Sequence, residues 1–181
     1  SMMFQVSNRN KRGIVLDIEN EKGRRVLERM VEDADVFLTN LRRSTIEKLQ
    51  IDYASLSALN PLLIHASVNG YGLRGPMKDV GAFDPMGQAR SGMTFIVNDR
   101  EPALMHMAVL DQTTAIALSH AIITALLVRE RRGIGQEVHT SLYSTAIWML
   151  YANMTMCSFL EGEPSFGWVR SRNSPLRNSF C

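Results

Sequence analysis

Cysteine is scarce in this sequence of 181 residues, and neither sign of charge is in large excess. The two cysteines, Cys157 and Cys181, lie far apart, so they do not form the dense framework of a small disulfide-rich secreted domain. This spacing favours a protein of the reducing cytoplasm. The formal net charge of +2 is too small to indicate a nucleic-acid partner.

Long hydrophobic runs are also absent, with one partial exception. Residues 113–128 carry no charge, but this run is shorter than the roughly 20 apolar residues of a membrane span, and it contains Ser119 and His120. The sequence therefore predicts a buried helix of a soluble protein, with no membrane partner. The glycine patterns GxGxxG and the P-loop are missing too, so nothing local supports a nicotinamide or nucleoside-triphosphate site.

What the sequence does contain is an alternation of strand and helix patterns. Apolar and β-branched runs predict strands at 13–18, 35–39, 60–68 and 137–142. Helical spacing predicts helices at 21–34, 44–49, from about 111 to 132, and at 143–160, with Ser44 and Glu47 in a capping-box pattern. This order predicts an α/β fold, a Rossmann-like parallel sheet with helices on both faces. Ligands bind such sheets at the carboxyl ends of the strands, here 40–44 and 69–75.

An isolated acid, Asp111, stands at the head of the long apolar helix. Its position alone favours a helix cap that accepts a hydrogen bond from the N–H of Thr113 or Thr114. The other interpretation is a nucleophile, since a carboxylate in a cleft can attack an activated carbonyl group. His120 lies nine residues later and half a turn away, so it is predicted to be buried on the opposite face. No histidine spacing predicts a metal site.

Several blocks of sequence resemble a known family. They are "NRNKRGIVLDIENEKG", "DVFLTNLRRSTIEKL", "LNPLLIHASVNGYGLRGP", "FDPMGQARSGM", "LDQTTAIALSHAIITALLVRERRGIGQEVHTSLY" and "NSPLRNSF". In this order they resemble the class III CoA-transferases, the CaiB/BaiF family, which also includes α-methylacyl-CoA racemase. The resemblance implies that residues 1–160 form the core of the family's large domain, incomplete because its first strand and helix are missing. Residues 161–181 would then be an extended connection toward a small domain.

The resemblance also implies a reaction and a binding site. Asp111 corresponds to the family's nucleophile, which forms an acyl–aspartyl anhydride and then an aspartyl-CoA thioester. The substrates would be coenzyme A as an acyl-CoA and a small carboxylic acid, with no metal. The implied CoA-binding residues are Leu16 at the adenine, Asn40, Leu41, Arg42 and Lys48 at the nucleotide and phosphates, and Val68, Asn69, Gly70 and Tyr71 at the pantetheine or phosphates. Lys11, Arg12 and Arg43 suit the same phosphates or form an ordinary solvated basic face.

Two other functions stay open at this point. Family racemases carry a histidine where this sequence has Phe83, and a phenyl ring cannot transfer a proton, which disfavours racemisation. A catalytically inactive remnant that binds CoA or associates with itself is the second alternative. The resemblance and the missing first strand predict a homodimer, with the chains either in simple contact or intertwined. Its contact residues are sought within 143–160, at Trp148, Met149, Tyr151, Met154, Met156 and Phe159.

Overall fold

A computed structural model describes residues 2–97 and 101–159, so the predicted connection at 161–181 lies outside the described residues. Three strands are present, β1 Val36–Thr39, β2 Ile64–Asn69 and β3 Gln136–Ser141. The helices are α1 Met2–Ser7, α2 Glu21–Glu32, α3 Arg43–Lys48, α4 Tyr53–Ser57, α5 Asp84–Ser91, α6 Met93–Val97, α7 Val109–Arg132, α8 Leu142–Met149 and α9 Tyr151–Phe159.

The strands form one parallel sheet in the order β1-β2-β3, which confirms the predicted α/β class. Val36 pairs with Ile64, and Ile64 pairs with Gln136 on its other side. Helix α7 packs on β2 and β3, while α2 and α4 contribute to the core on the opposite face. The carboxyl ends of all three strands therefore point to one edge, where such sheets hold their ligands.

Two hydrophobic clusters support this edge. The β1 cluster is built from α2, α3, α4 and the turns between them, and its buried members are Val31, Ile51, Leu56 and Leu63. The α8 cluster joins α6, α7 and α8, and its buried members are Met93, Leu110, Leu142, Ala146 and Leu150. Each cluster holds a different part of the edge in place, because Ile46 of α3 packs on the first and Leu110 of α7 belongs to the second.

The predicted strand at 13–18 is wrong for the described chain. The segment belongs to none of the three strands, and Ile14 and Val15 expose 60% and 98% of their surface. A β-branched run forms a strand only where a neighbouring strand supplies hydrogen bonds and packing. Among the described residues, none supplies them here.

Several helix boundaries also differ from prediction. The capping box at Ser44 is wrong, because α3 begins at Arg43 and Ser44 lies inside its first turn. A capping box occurs instead at α8, where Ser141 Oγ accepts from the N–H of Ser144 at 3.0 Å. The helix predicted at 143–160 is two helices that meet at Leu150. The strand predicted at 60–68 begins only at residue 64, since 60–63 form a turn.

Helix α7 is long and apolar, but most of it is not buried. Its buried residues are Leu110, Thr114, Leu118 and Ala125, whereas Ile116 and Ile123 are 69% and 67% exposed. The predictions of a buried helix and of a buried His120 are therefore wrong, since His120 is exposed as well. By length and composition alone, α7 is the one described helix that could cross a membrane, with a mean hydropathy of 1.3.

Candidate functional site

A cleft of about 1070 Å³ opens at the carboxyl end of the sheet, as the strand order predicts. One wall follows β1 and β2 and is formed by Asn40–Ser44 and 68–70. The opposite wall is the cleft-facing side of α7, where Asp111, Thr114, Leu118 and Ile122 follow one another at helical spacing. The loop 78–83 lies between them. The cleft therefore brings together residues from six separate stretches of the chain, within 8–11, 38–44, 68–70, 78–86 and 111–122 and at Leu142.

The wall at the strand ends is basic. Arg42 and Arg43 follow β1. Lys11, in the segment between α1 and α2, and Lys78, in a turn between β2 and α5, line the same cleft. Arg43 is paired with Glu47 at 2.7 Å, but among the described residues no carboxylate pairs with the guanidinium of Arg42. A group with several negative charges, such as a phosphate, suits such a wall.

Glycines allow the loop to pass close to this wall. A Cβ atom at Gly81 would lie 3.1 Å from Arg42 Nη2, so the absence of a side chain leaves room for the guanidinium. A Cβ atom at Gly70 would lie 2.5 Å from the Cβ of Ala82, and the Gly70 carbonyl accepts a hydrogen bond from the N–H of Tyr143 at 2.9 Å. Substitution of either glycine would therefore move a wall of the cleft.

The turn after β2 is closed by Asn69. Its Oδ1 accepts a hydrogen bond from the N–H of Gly72 at 2.6 Å, and its Nδ2 donates to the Gly72 carbonyl at 3.1 Å. Gly72 has a φ of 94°, which glycine adopts without steric cost. The amide of Asn69 thus shapes the loop as well as lining the cleft.

Asp111 faces the cleft from the first turn of α7, and it is not the cap of this helix. The N-cap position is Ala108, which has no capping side chain. The N–H groups of Leu110 and Asp111 are bound instead by Oδ2 of Asp84, at 2.6 and 3.0 Å. The interpretation of Asp111 as a helix cap is therefore wrong. The N–H groups of Leu110 and Asp111 are bound by Asp84 and therefore do not stabilise the charge of the Asp111 side chain.

The environment of Asp111 makes its ionisation more difficult than usual. Partial burial is the larger cause and the nearby Asp84 carboxylate the smaller, and together they raise the pKa of Asp111 above its ordinary value. A carboxylate with a raised pKa is more basic and more reactive toward a carbonyl carbon than a fully solvated one. The arrangement is suited to a nucleophile or to a group that accepts a proton.

Three of the predicted CoA-binding residues do not reach the cleft. Leu16 is half-buried in the segment before α2, and Tyr71 lies beside Tyr143 with 6.2 Å between ring centroids. Lys48 is exposed and pairs with Glu19 at 2.6 Å, and this contact raises the pKa of Lys48. The other predicted residues, Asn40, Leu41, Arg42, Val68, Asn69, Gly70 and Asp111, all line it.

The histidines do not form a site of their own. His65 is buried against Phe37 and bonds the Ile51 carbonyl at 3.0 Å, and His139 bonds Ser67 Oγ at 3.0 Å. His106 is an exposed loop residue. Within residues 2–97 and 101–159, no three His, Cys, Asp or Glu side chains are grouped in a way that could hold a metal ion. The absence of a metal remains a prediction.

Sequence reasoning missed Asp84, Gln88 and Thr114. Asp84 precedes a proline at the start of a helix, which is a recognisable helix-start pattern, but its bonds go to a different helix. Gln88 is buried and bonds both Asp84 and the backbone of Met105. Thr114 lines the cleft one turn after Asp111, and its buried Oγ1 has no hydrogen-bond partner among the described residues. No local pattern predicts these contacts.

Comparisons with known proteins agree with this architecture. The chain is 36% identical over 163 residues to a succinate–glutarate CoA-transferase of Agrobacterium fabrum, covering 89% of the chain and 40% of the relative. It is 30% identical over 181 residues to the (R)-2-hydroxy-4-methylpentanoate CoA-transferase of Clostridioides difficile, covering 98% of the chain and 45% of the relative. The crystal structure of a CaiB/BaiF family protein from Brucella suis matches with a TM-score of 0.84 and 32% identity. That match covers 90% of this chain and 44% of the other.

The chain thus spans less than half the length of these relatives. Residues 1–180 match the sequence profile of CoA-transferase family III, which is nearly the whole chain. The resemblance inferred from the sequence blocks is confirmed, as is the incomplete large-domain fold. This chain belongs to CoA-transferase family III, a family of enzymes.

Proposed function

We propose that this chain carries the CoA-binding and nucleophile-bearing part of an enzyme that moves CoA between an acyl-CoA and a free carboxylic acid. The observation that carries the proposal is the position of Asp111, which faces a cleft whose opposite wall is basic. Named relatives include transferases between CoA thioesters and small acids, such as the acetyl-CoA:oxalate CoA-transferase of Acetobacter aceti.

Asp111 acts as a covalent nucleophile in this reaction. Its carboxylate oxygen attacks the thioester carbonyl carbon, the C–S bond breaks, and an acyl–aspartyl anhydride forms together with the CoA thiolate. The thiolate then attacks the aspartyl carbonyl, which releases the first acid and leaves an aspartyl-CoA thioester. The incoming carboxylate attacks this thioester to give a second anhydride and the thiolate. The thiolate finally attacks the new acyl carbonyl, which yields the new acyl-CoA and regenerates Asp111.

The basic wall binds the phosphates of CoA. The guanidinium of Arg42, which has no carboxylate partner among the described residues, makes a bidentate phosphate contact, and Lys78 and Lys11 add positive charge nearby. Asn40, Leu41, Val68, Asn69 and Gly70 complete the surface along which the rest of CoA lies. Leu16, Lys48 and Tyr71, which do not line the cleft, take part only if the chain rearranges around the ligand.

The covalent intermediate provides the test. The chain is mixed with an acyl-CoA, quenched in acid, digested and examined by mass spectrometry. We expect the peptide that contains Asp111 to gain the mass of CoA, because the aspartyl thioester is a discrete intermediate. Hydroxylamine should convert the same carboxyl group to a hydroxamate. An adduct on a different residue would contradict the assignment of Asp111. A binding module that lacks chemistry would bind CoA without forming any adduct, which separates this alternative from the transferase.

Racemisation is the less favoured chemistry. Phe83 lines the cleft with 75% of its surface exposed, at the position where family racemases have a histidine. Its ring has no proton to exchange. A 2-methylacyl-CoA incubated with the protein in deuterated water should therefore gain no deuterium at its α-carbon.

We also propose that the protein is a cytoplasmic homodimer. Trp148, Tyr151 and Met154 are 69%, 65% and 50% exposed on α8 and α9, and Ile116 and Ile123 are exposed on α7. Met149 packs on the α8 cluster instead, and the side chains of Met156 and Phe159 lie outside the described set. A second copy would cover part of this apolar surface. Light scattering at micromolar concentration checks the mass of the assembly.

A further inference from the structure

Asp84 is a buried carboxylate that serves a helix other than its own. It is the first residue of α5 and exposes only 5% of its surface. Its Oδ2 accepts the N–H groups of Leu110 and Asp111, at 2.6 and 3.0 Å. Helix N-termini usually have such donors satisfied by a side chain at the N-cap, but Ala108 has none. A residue 26 positions earlier therefore caps α7.

Asp84 is itself held in place by Gln88. This glutamine is 1% exposed and donates a hydrogen bond to Oδ1 of Asp84. Gln88 also exchanges two hydrogen bonds with the backbone of Met105, one of 2.9 Å and one of 2.8 Å. Helix α5 thereby holds both the segment that leads into α7 and the first turn of α7.

The backbone between these two attachment points is in an unfavourable conformation. Met107 and Ala108 have φ angles of 71° and 48°, in the left-handed region that residues with a Cβ atom avoid. Such residues persist where the surrounding contacts determine the backbone more strongly than its own preference does. Gln112 contributes one such contact, because its N–H donates to the Ala108 carbonyl at 3.0 Å.

From these contacts we infer that Asp84 is a positioning residue for Asp111, because its carboxylate fixes the first turn of α7 against the cleft. The inference rests on the proposed role of Asp111 as the nucleophile. Without the Asp84 carboxylate, the N–H groups of Leu110 and Asp111 lose their partner and the left-handed residues before them are free to relax. Displacement of a reacting group by about 1 Å costs on the order of 100-fold in rate.

The charge of Asp84 has a second effect that can be measured separately. The Asp84 carboxylate is the second and smaller cause, beside burial, of the raised pKa of Asp111. An uncharged residue at position 84 should therefore move the acid limb of the pH–rate profile to lower pH. A side chain that only stabilises the fold would not produce this change.

Three variants of the full chain test the inference. Asp84→Ala removes the acceptor. Asp84→Asn keeps an acceptor oxygen for α7 and removes the charge, but it turns an NH₂ group toward the Nε2 donor of Gln88. Asp52→Ala is the control. Asp52 caps its own helix α4 by accepting from the N–H of Ser55 at 3.0 Å, and it does not line the cleft. For Asp84→Ala we expect kcat for CoA transfer to fall on the order of 100-fold, with little change in KM for the acyl-CoA. Asp84→Asn should recover only part of kcat, because it keeps the acceptor for α7 but loses the bond from Gln88, and it should shift the acid limb downward. Asp52→Ala should keep the wild-type kcat.

Amide hydrogen exchange provides a readout that needs no turnover. Exchange at Leu110 and Asp111 should speed up by about 10–100-fold in Asp84→Ala, by less in Asp84→Asn, and should stay near the wild-type rate in Asp52→Ala. If the wild-type chain shows no transfer, the proposed function fails while exchange still reports on the role of Asp84. A wild-type kcat in Asp84→Ala, or exchange at Leu110 and Asp111 that does not change, would overturn the inference.

Discussion

The two walls of the cleft rest on cores of different origin. The β1 cluster beneath the basic wall draws its residues from 27–63, a continuous stretch of the chain. The α8 cluster beneath Asp111 draws its residues from 82–150 and depends on contacts between separate helices. The proposed binding residues Asn40–Arg42 are thus supported locally, whereas the proposed nucleophile Asp111 is supported by long-range packing. Damage to one cluster should affect binding, and damage to the other should affect chemistry.

The largest expected effect is the loss of CoA transfer in Asp111→Asn, a variant that should still bind CoA. Asp111→Asn replaces the nucleophilic oxygen with an amide of the same shape, so CoA transfer should fall by at least about 10⁴-fold. The dissociation constant for CoA, measured by titration calorimetry, should change by less than about threefold because the phosphates bind the opposite wall. Transfer that survives in Asp111→Asn, after its identity is verified by mass, would rule out covalent catalysis by this residue.

A pair of core substitutions tests the comparison directly. Leu110 and Leu56 are both completely buried, the first in the α8 cluster and the second in the β1 cluster. Substitution of either by alanine should reduce the free energy of unfolding by about 2–5 kcal/mol. Only Leu110→Ala should also reduce kcat per folded molecule, since Leu110 precedes Asp111 in the first turn. Urea unfolding measures the stability of both variants, and a transfer assay measures their kcat. An equal loss of kcat in the two would contradict the expectation that only the α8 cluster affects chemistry.

Two basic residues, Arg42 and Lys48, test which part of the surface binds CoA. Arg42 lines the cleft, and no carboxylate among the described residues pairs with its guanidinium, while Lys48 lies outside the cleft and pairs with Glu19. A hydrogen bond to a charged group contributes about 1.5–3 kcal/mol, so Arg42→Gln should weaken CoA binding by about 10–100-fold. Lys48→Gln should change it less than about threefold, because an exposed ion pair contributes little. Calorimetric titration with CoA measures both, and an equal loss of affinity would place Lys48 in the binding surface.

The smallest expected effect is on stability as a function of pH. The pKa of Asp111 is raised in the folded protein, so its ionisation opposes folding once the pH exceeds the ordinary carboxyl value of about 3.9. Asp111→Asn should therefore melt at the same temperature as the wild type near pH 3, where both groups are neutral. It should melt slightly higher at pH 7. Melting curves across this range check the sign, and a lower melting temperature at pH 7 would contradict it.

The sequence predicts the parts of the fold that depend on local patterns. The apolar spacing of α2 and the β-branched strands β1 and β2 are examples, because each fits a buried face that the sequence displays. The strand predicted at 13–18 fails for the opposite reason, since strand formation depends on a neighbour that no local pattern contains. The exposure of His120 and Ile123 likewise depends on what covers α7, which the helix sequence does not encode.

The candidate site, too, has residues that the sequence predicts and residues that depend on distant partners. Family resemblance and strand ends predict Asn40, Arg42 and Asp111, all of which line the cleft. Asp84 and Gln88 escape prediction because their function depends on partners 26 and 17 residues away. A carboxylate that caps another helix has the same sequence signature as one that caps its own.

The left-handed residues before α7 set a limit on how this protein can be improved by selection for heat resistance. A left-handed residue with a Cβ atom costs about 1–2 kcal/mol, and glycine at that position avoids the cost. Ala108→Gly thus relieves local strain, although the unfolded chain gains freedom that offsets part of the benefit. The same change also gives more conformational freedom to the backbone just before the first turn of α7, which carries Asp111. Selection for stability alone would therefore favour substitution of Ala108, and under the proposed role of Asp111 as nucleophile such a change would gain stability at the expense of turnover.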